Sequence, residues 1–181
     1  MNQKILDIID RSIGKEGGYS FNKSDLGGET MWGITSKTAR KYYKGTMKDM
    51  PRSLAVEIYL AEFFLEPHFD RVLEVSPDVA EKLFDCGINT GLGFTTPLIQ
   101  DALNLLNRNG KDYASIKVDG VIGNNTIIAL KAFLAKRGKD GEQVLLKLLN
   151  IMQGSRYVEI TKARPANAEF LFGWIKNRVE I

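Results

Sequence analysis

With 181 residues, 44% hydrophobic and 26% charged, the chain is sized for one soluble domain with a buried core, and no apolar run is long enough to cross a bilayer. Its net charge of +3 comes from Lys and Arg spread along the sequence, which argues against nucleic acid as a partner and suits a polyanionic mesh. A single cysteine, Cys86, rules out an internal disulfide, and with one histidine, His68, there are too few soft ligands for a zinc site, so no metal or organic cofactor is expected.

In chain order, Ile5, Ile8, Ile9 and Ile13 recur at helical spacing with Asp7, Asp10 and Arg11 on other faces, and Gly17-Gly18 ends that amphipathic helix. Tyr19 to Thr35 loses the helical period, and Gly27-Gly28 followed by "ETMWGIT" predicts a short hairpin or irregular β excursion. Helix resumes from Thr35 to Tyr43, capped by Thr35 or Ser36. Pro51 suits a first helical position, and "RSLAVEIYLAEFFLEP" reads as a buried helix that stops near Pro67. A helix over 77–88 meets "GINTGLG", whose glycines break it, and "TTPLIQDALNLLNRNG" supplies the next one. Asp119-Gly120 predicts a tight turn before a helix capped by Asn124 or Asn125, with further helices over 142–157 and 166–179. The expected fold class is mainly α (α+β), two-lobed, with a small β-hairpin beside the first helix.

The stretch "KEGGYSFNKSDLGGETMWGIT" concentrates the polar chemistry. Glu16 is expected at a helix C-terminus, where the macrodipole disfavours an ionised carboxylate and desolvation raises its pKa in the same direction. That is what a general acid needs in order to hand a proton to the leaving oxygen of a glycoside. Asp25 and Thr30, on the hairpin that would fold back over the helix end, are candidates to hold or activate a water, or to stabilise developing charge. Glu29 is the competing acid, but strand alternation turns it to the face opposite Thr30, so Glu16 is preferred.

Ordered as Glu-x8-Asp-x4-Thr around two Gly-Gly pairs, this stretch resembles the N-terminal motif of glycoside hydrolase family 108, the N-acetylmuramidases found as phage endolysins and bacterial secretion-activator proteins. The resemblance extends to "LFDCGINTGLG", "LIQDALNLL", "VDGVIGNNTIIAL", Arg156-Tyr157 and "FGWIKNRV", so it covers nearly the whole chain. One departure is Phe63-Phe64, where many members carry Tyr-Trp. It implies a lysozyme-like fold, with a catalytic region over 1–95 and a helical peptidoglycan-binding-type region over 96–181 packed into the same compact unit. It also implies Glu16 as the catalytic acid, and peptidoglycan glycan strands as substrate, cut between N-acetylmuramic acid and N-acetylglucosamine.

Three other residues are candidates for contact with the substrate. Trp32, on the face expected for Thr30, could stack on a sugar or plug the hairpin onto the core. Asn89 could reach an N-acetyl group or satisfy a glycine turn, and Tyr157 could line the cleft. Trp174 is expected in the core, Cys86 as a buried structural thiol, and His68 in packing or a loop. No signal peptide is visible in "MNQKILDIIDRSIGK", so the expected location is the cytoplasm, as a monomer, until a holin-like or secretion-system membrane partner releases the protein to the wall. Two rival readings are a lytic transglycosylase and a non-catalytic wall-binding secretion accessory protein.

Overall fold

The computed structural model describes residues 3–14, 18–21 and 28–180, and the chain divides into two compact units, Met1–Glu66 and Pro67–Ile181. In the first unit, α1 (Gln3–Gly14) buries Ile5, Ile8, Ile9 and Ile13, the four isoleucines set at helical spacing. Strands β1 (Tyr19–Phe21), β2 (Glu29–Met31) and β3 (Ile34–Thr35) form an antiparallel sheet in that order. The hairpin between β2 and β3 closes through Trp32 and Gly33 alone, since Met31 pairs with Ile34. Both loop residues have positive φ, 56° and 77°, the signature of a two-residue turn whose twist matches that of its strands. The expected β excursion is therefore a three-stranded sheet with a tight turn at "WG".

Helix α2 (Ser36–Ala39) is shorter than expected, a single turn capped by Thr35, whose Oγ1 accepts the Thr38 amide at 3.3 Å. Helix α3 (Arg52–Ile58) starts after Pro51, and then the backbone widens into π-helical turns over Tyr59–Leu65. Phe64 is fully buried in this segment, and Phe63 packs its ring 5.5 Å from that of Tyr59.

The second unit is helical: α4 (Phe69–Leu73), α5 (Pro77–Thr90), α6 (Leu92–Leu106), α7 (Asn124–Ala163) and α8 (Ala168–Arg178). His68, at φ 62°, sits exposed in the turn that opens α4. Ser76 caps α5 by accepting the Val79 amide at 3.1 Å. Gly87, expected to break this helix, lies inside it, and a Cβ there would sit 2.9 Å from the end of the Leu92 side chain. The break comes at Gly91, φ 86°, so α6 begins ahead of "TTP" and carries Pro97 within it. Gly123, with no side-chain bond, occupies the cap position of α7 expected for Asn124 or Asn125. Non-helical Gly138 interrupts α7, so its two arms are separate helices in practice.

Two sequence motifs meet in this unit. Gln100 of α6 is 2% exposed and donates to the Asp119 carboxylate at 2.9 Å, while its own carbonyl accepts the Asp119 and Gly120 amides at 3.1 and 2.8 Å. One buried amide thereby fixes the whole Asp-Gly turn. The chain is mainly α with a small antiparallel sheet, as its periodicity predicts. Among the described residues no helix is long and apolar enough to cross a membrane.

Candidate active site

Glu16 and Asp25, the expected acid and water-positioning carboxylate, lie outside the described residues; Thr30, their expected partner, lies inside. In the sheet, Thr30 is paired with Ser20 on one side and Thr35 on the other. Cross-strand partners share a face, so these three hydroxyl residues form a row across the sheet. Thr35 is already committed to capping α2. Ser20 and half-buried Thr30 are the members of the row set to meet a ligand.

Glu29 alternates to the other face, the one it shares with Tyr19, Phe21 and Met31. There it takes a hydrogen bond from the Tyr19 hydroxyl, which raises the Tyr19 pKa above its ordinary value. A carboxylate engaged by a neighbouring phenol on the face away from Thr30 is poorly set to share a water with it.

Trp32 is not a strand residue, so face alternation does not place its ring; the turn does. Its indole Nε1 donates to the Met50 carbonyl at 2.8 Å, its carbonyl accepts the Tyr59 hydroxyl at 2.9 Å, and its amide donates to the Gly18 carbonyl at 3.3 Å. Left-handed backbone is costly for a bulky residue, and these three bonds are what hold it. They tie the Thr30 strand to Gly18, to the turn before α3 and to the π-helical segment. Sequence inspection missed the Tyr59 and Met50 partners, which lie 27 and 18 residues away.

A second carboxylate of this unit was also missed. Glu62 in the π-helical turns accepts from Lys41 Nζ and from the Tyr42 hydroxyl, each at 2.6 Å. Lys41, then Tyr42, hold its carboxyl below the usual range. A group kept ionised in this way cannot serve as a general acid near neutral pH, so Glu62 braces the unit.

In the second unit Asn89 is half-buried on α5 and donates Nδ2 to the Asp85 carbonyl at 2.6 Å, leaving its amide oxygen as the group to offer a ligand. Tyr157 is 1% exposed, stacks 5.2 Å from Trp174, and takes a hydrogen bond from Gln153 at 2.8 Å. Burial pushes its phenol pKa well up, and a ring with no open face packs the unit instead of touching substrate. Cys86 is fully buried and its thiol is likewise raised by burial, which fits an inert structural thiol. Beneath Asn89 on the same helix, Lys82 Nζ donates to Asn150 and Gln153 at 2.5 and 2.6 Å and to the Arg178 carbonyl at 3.1 Å. Arg178 in turn pairs with Asp85 at 2.8 Å. Among the described residues no three His, Cys, Asp or Glu side chains gather as a metal-ligand set.

The chain resembles known proteins along nearly its whole length. The model of a family described as glycosyl hydrolase 108 matches residues 9–91, and that of a family described as a predicted peptidoglycan domain matches residues 96–179. The solved structure of Brucella abortus SagA is similar in fold, with a TM-score of 0.71 at 21% identity, covering 96% of this chain and 88% of that one. No curated protein matches the chain. The hydrolase match runs from within α1 to the end of α5, so by sequence α4 and α5 go with the hydrolase region even though they pack inside the second compact unit.

Proposed function

From its membership in the glycosyl hydrolase 108 family, a mainly α, lysozyme-like fold, we propose that this peptidoglycan hydrolase is an N-acetylmuramidase that cuts the β-1,4 bond between N-acetylmuramic acid and N-acetylglucosamine. Glu16 protonates the departing oxygen, and positive charge develops on the muramic acid ring. Asp25 and Thr30 hold the attacking water. The observation that carries this reading is the hydrolase match over residues 9–91, which contains all three groups together with the strand that pairs Thr30 between Ser20 and Thr35.

Thr30 can accept from a water and donate to a sugar hydroxyl at once, which a valine of the same shape cannot do. Trp32 keeps that strand in place and presents a half-buried ring beside it. Asn89 offers its carbonyl to an N-acetyl group. The protein acts as a monomer, and a holin-like or secretion-linked membrane partner releases it from the cytoplasm to the wall. The test is digestion of purified peptidoglycan followed by mass spectrometry of the borohydride-reduced products. Reduced muramic acid ends support hydrolysis of the muramic bond; 1,6-anhydro ends would make the protein a transglycosylase, and binding without soluble products would leave an accessory wall protein.

A further inference from the structure

The second unit has a cleft of about 250 Å³ between α6 and the far arm of α7. It is lined by apolar Phe94, Pro97, Leu98 and Met152 and by ionised Asp101 on one helix and Arg156 and Glu159 on the other, with Ser155 as its one neutral hydroxyl. The Arg156 guanidinium lies 5.4 Å over the Phe94 ring. The Arg156 side chain is 41% exposed, and the ring contact orients its guanidinium. Its contact with Glu159 is long, 3.8 Å, between two side chains 41% and 65% exposed, so it is a weak pair that a better anion displaces. Pro97 has no amide hydrogen, which leaves the Gly93 carbonyl, four residues earlier, without its helical donor.

We propose that this cleft binds the stem peptide of peptidoglycan, a deepening that rests on the reading of the chain as a peptidoglycan hydrolase. The alternative ligand within the same polymer is the glycan, and the chemistry of the cleft disfavours it. Sugars are held by an open aromatic face with neutral hydrogen-bonding groups around it, and here the one aromatic face is covered by a cation. A rim with two carboxylates and one guanidinium matches a ligand that carries both an amine and a carboxylate. The stem peptide has both: free carboxylates, and a diamino acid whose second amine is the cross-linking point. A carboxylate of the peptide takes the planar fork of Arg156 and the amine lies against Asp101 and Glu159, while the aliphatic side chains meet Leu98 and Met152. At this volume the cleft takes one or two residues, the end of a peptide instead of a length of chain. Arg156 is thereby a specificity residue, which accounts for half of a motif whose other half, Tyr157, is packing.

The test is calorimetric titration of the full chain with a synthetic, sugar-free stem tetrapeptide containing a free diamino-acid amine. Wild type binds it; Arg156→Gln and Asp101→Asn each weaken binding about tenfold or more, and acetylating the peptide's amine does the same to wild type. Asp101 is exposed, so that variant carries the test even where Arg156→Gln disturbs packing on Phe94. No binding by wild type, or equal binding by the variants or by the acetylated peptide, overturns the proposal. Peptide-free glycan separates the two readings. Its hydrolysis without stem-peptide binding sinks the cleft alone, and stem-peptide binding without any hydrolysis sinks the enzyme reading alone.

Discussion

The two compact units bind their polar groups in opposite ways. Around Thr30 the first unit uses backbone carbonyls: Gly18, Trp32 and Met50 each accept one bond that holds a short, half-exposed sheet, and two of the three bonds are part-buried. The second unit buries its polar atoms in a side-chain network of Lys82, Asn150, Gln153, Tyr157, Asp85 and Arg178. A short sheet held through its turn leaves Ser20 exposed and Thr30 half-buried. A buried network with every partner matched specifies one packing and offers little to a ligand. Substitutions around Thr30 should therefore alter rate, and substitutions in the buried network should alter stability.

The largest stability effect is expected at Lys82. Lys82→Met takes the donor from the Gln153 amide oxygen and the Arg178 carbonyl and leaves Asn150 Oδ1 only the Glu180 amide, at a cost of about 3 kcal/mol, read as a melting temperature lower by about 10 °C. Burial lowers the Lys82 pKa below its ordinary value, so above the folded pKa the unfolded chain binds the extra proton. Wild type therefore gains stability as pH rises from that folded value toward the unfolded one near 10.5, and Lys82→Met loses this gain. A melting curve for the variant as pH-dependent as that of wild type would contradict it.

The mirror-image substitution is Thr30→Val. It keeps the β-branched shape and the strand pairing, so the melt should stay within about 0.5 kcal/mol of wild type while turnover on peptidoglycan falls about 100-fold. Full activity with a lowered melt would reverse the comparison. Trp32→Phe removes the bond to Met50 and should cost about 1 kcal/mol, with a smaller loss of turnover as the Thr30 strand loosens. The smallest effect belongs to Glu62→Gln, below about 1 kcal/mol because Lys41 is mostly exposed. With the Glu62 carboxyl held below its ordinary pKa, its contribution is present at neutral pH and lost as pH falls through the folded value. The difference between variant and wild type should therefore vanish in acid.

Local patterns were legible and long-range ones were not. The isoleucines of α1, the Thr35 cap and the helical class follow from spacing and cap chemistry over a few residues. The Trp32-Gly33 turn was hidden because tryptophan is a poor sequence signal for positive φ, and only its three bonds make that conformation affordable. Gly87 looked like a breaker and is helical, facing Leu92 of the following helix, a neighbour that no local pattern reveals. The Lys82 and Asp85 partners lie up to 96 residues away, beyond any periodicity argument. Tyr157 read as an available aromatic until the stack with Trp174 showed its face covered. For the candidate site, the motif supplied Glu16, Asp25 and Thr30 together; the hydroxyl row with Ser20 and Thr35 needed the strand register.

Glu16 is the proposed acid, and Glu29 is not. The most direct measurement is release of reducible muropeptides from purified peptidoglycan by wild type, Glu16→Gln and Glu29→Gln at matched concentration, with melts to confirm folding. The predicted result is loss of about 100-fold or more for Glu16→Gln and near-wild-type release by Glu29→Gln. Activity surviving in Glu16→Gln and disappearing in Glu29→Gln would contradict the assignment.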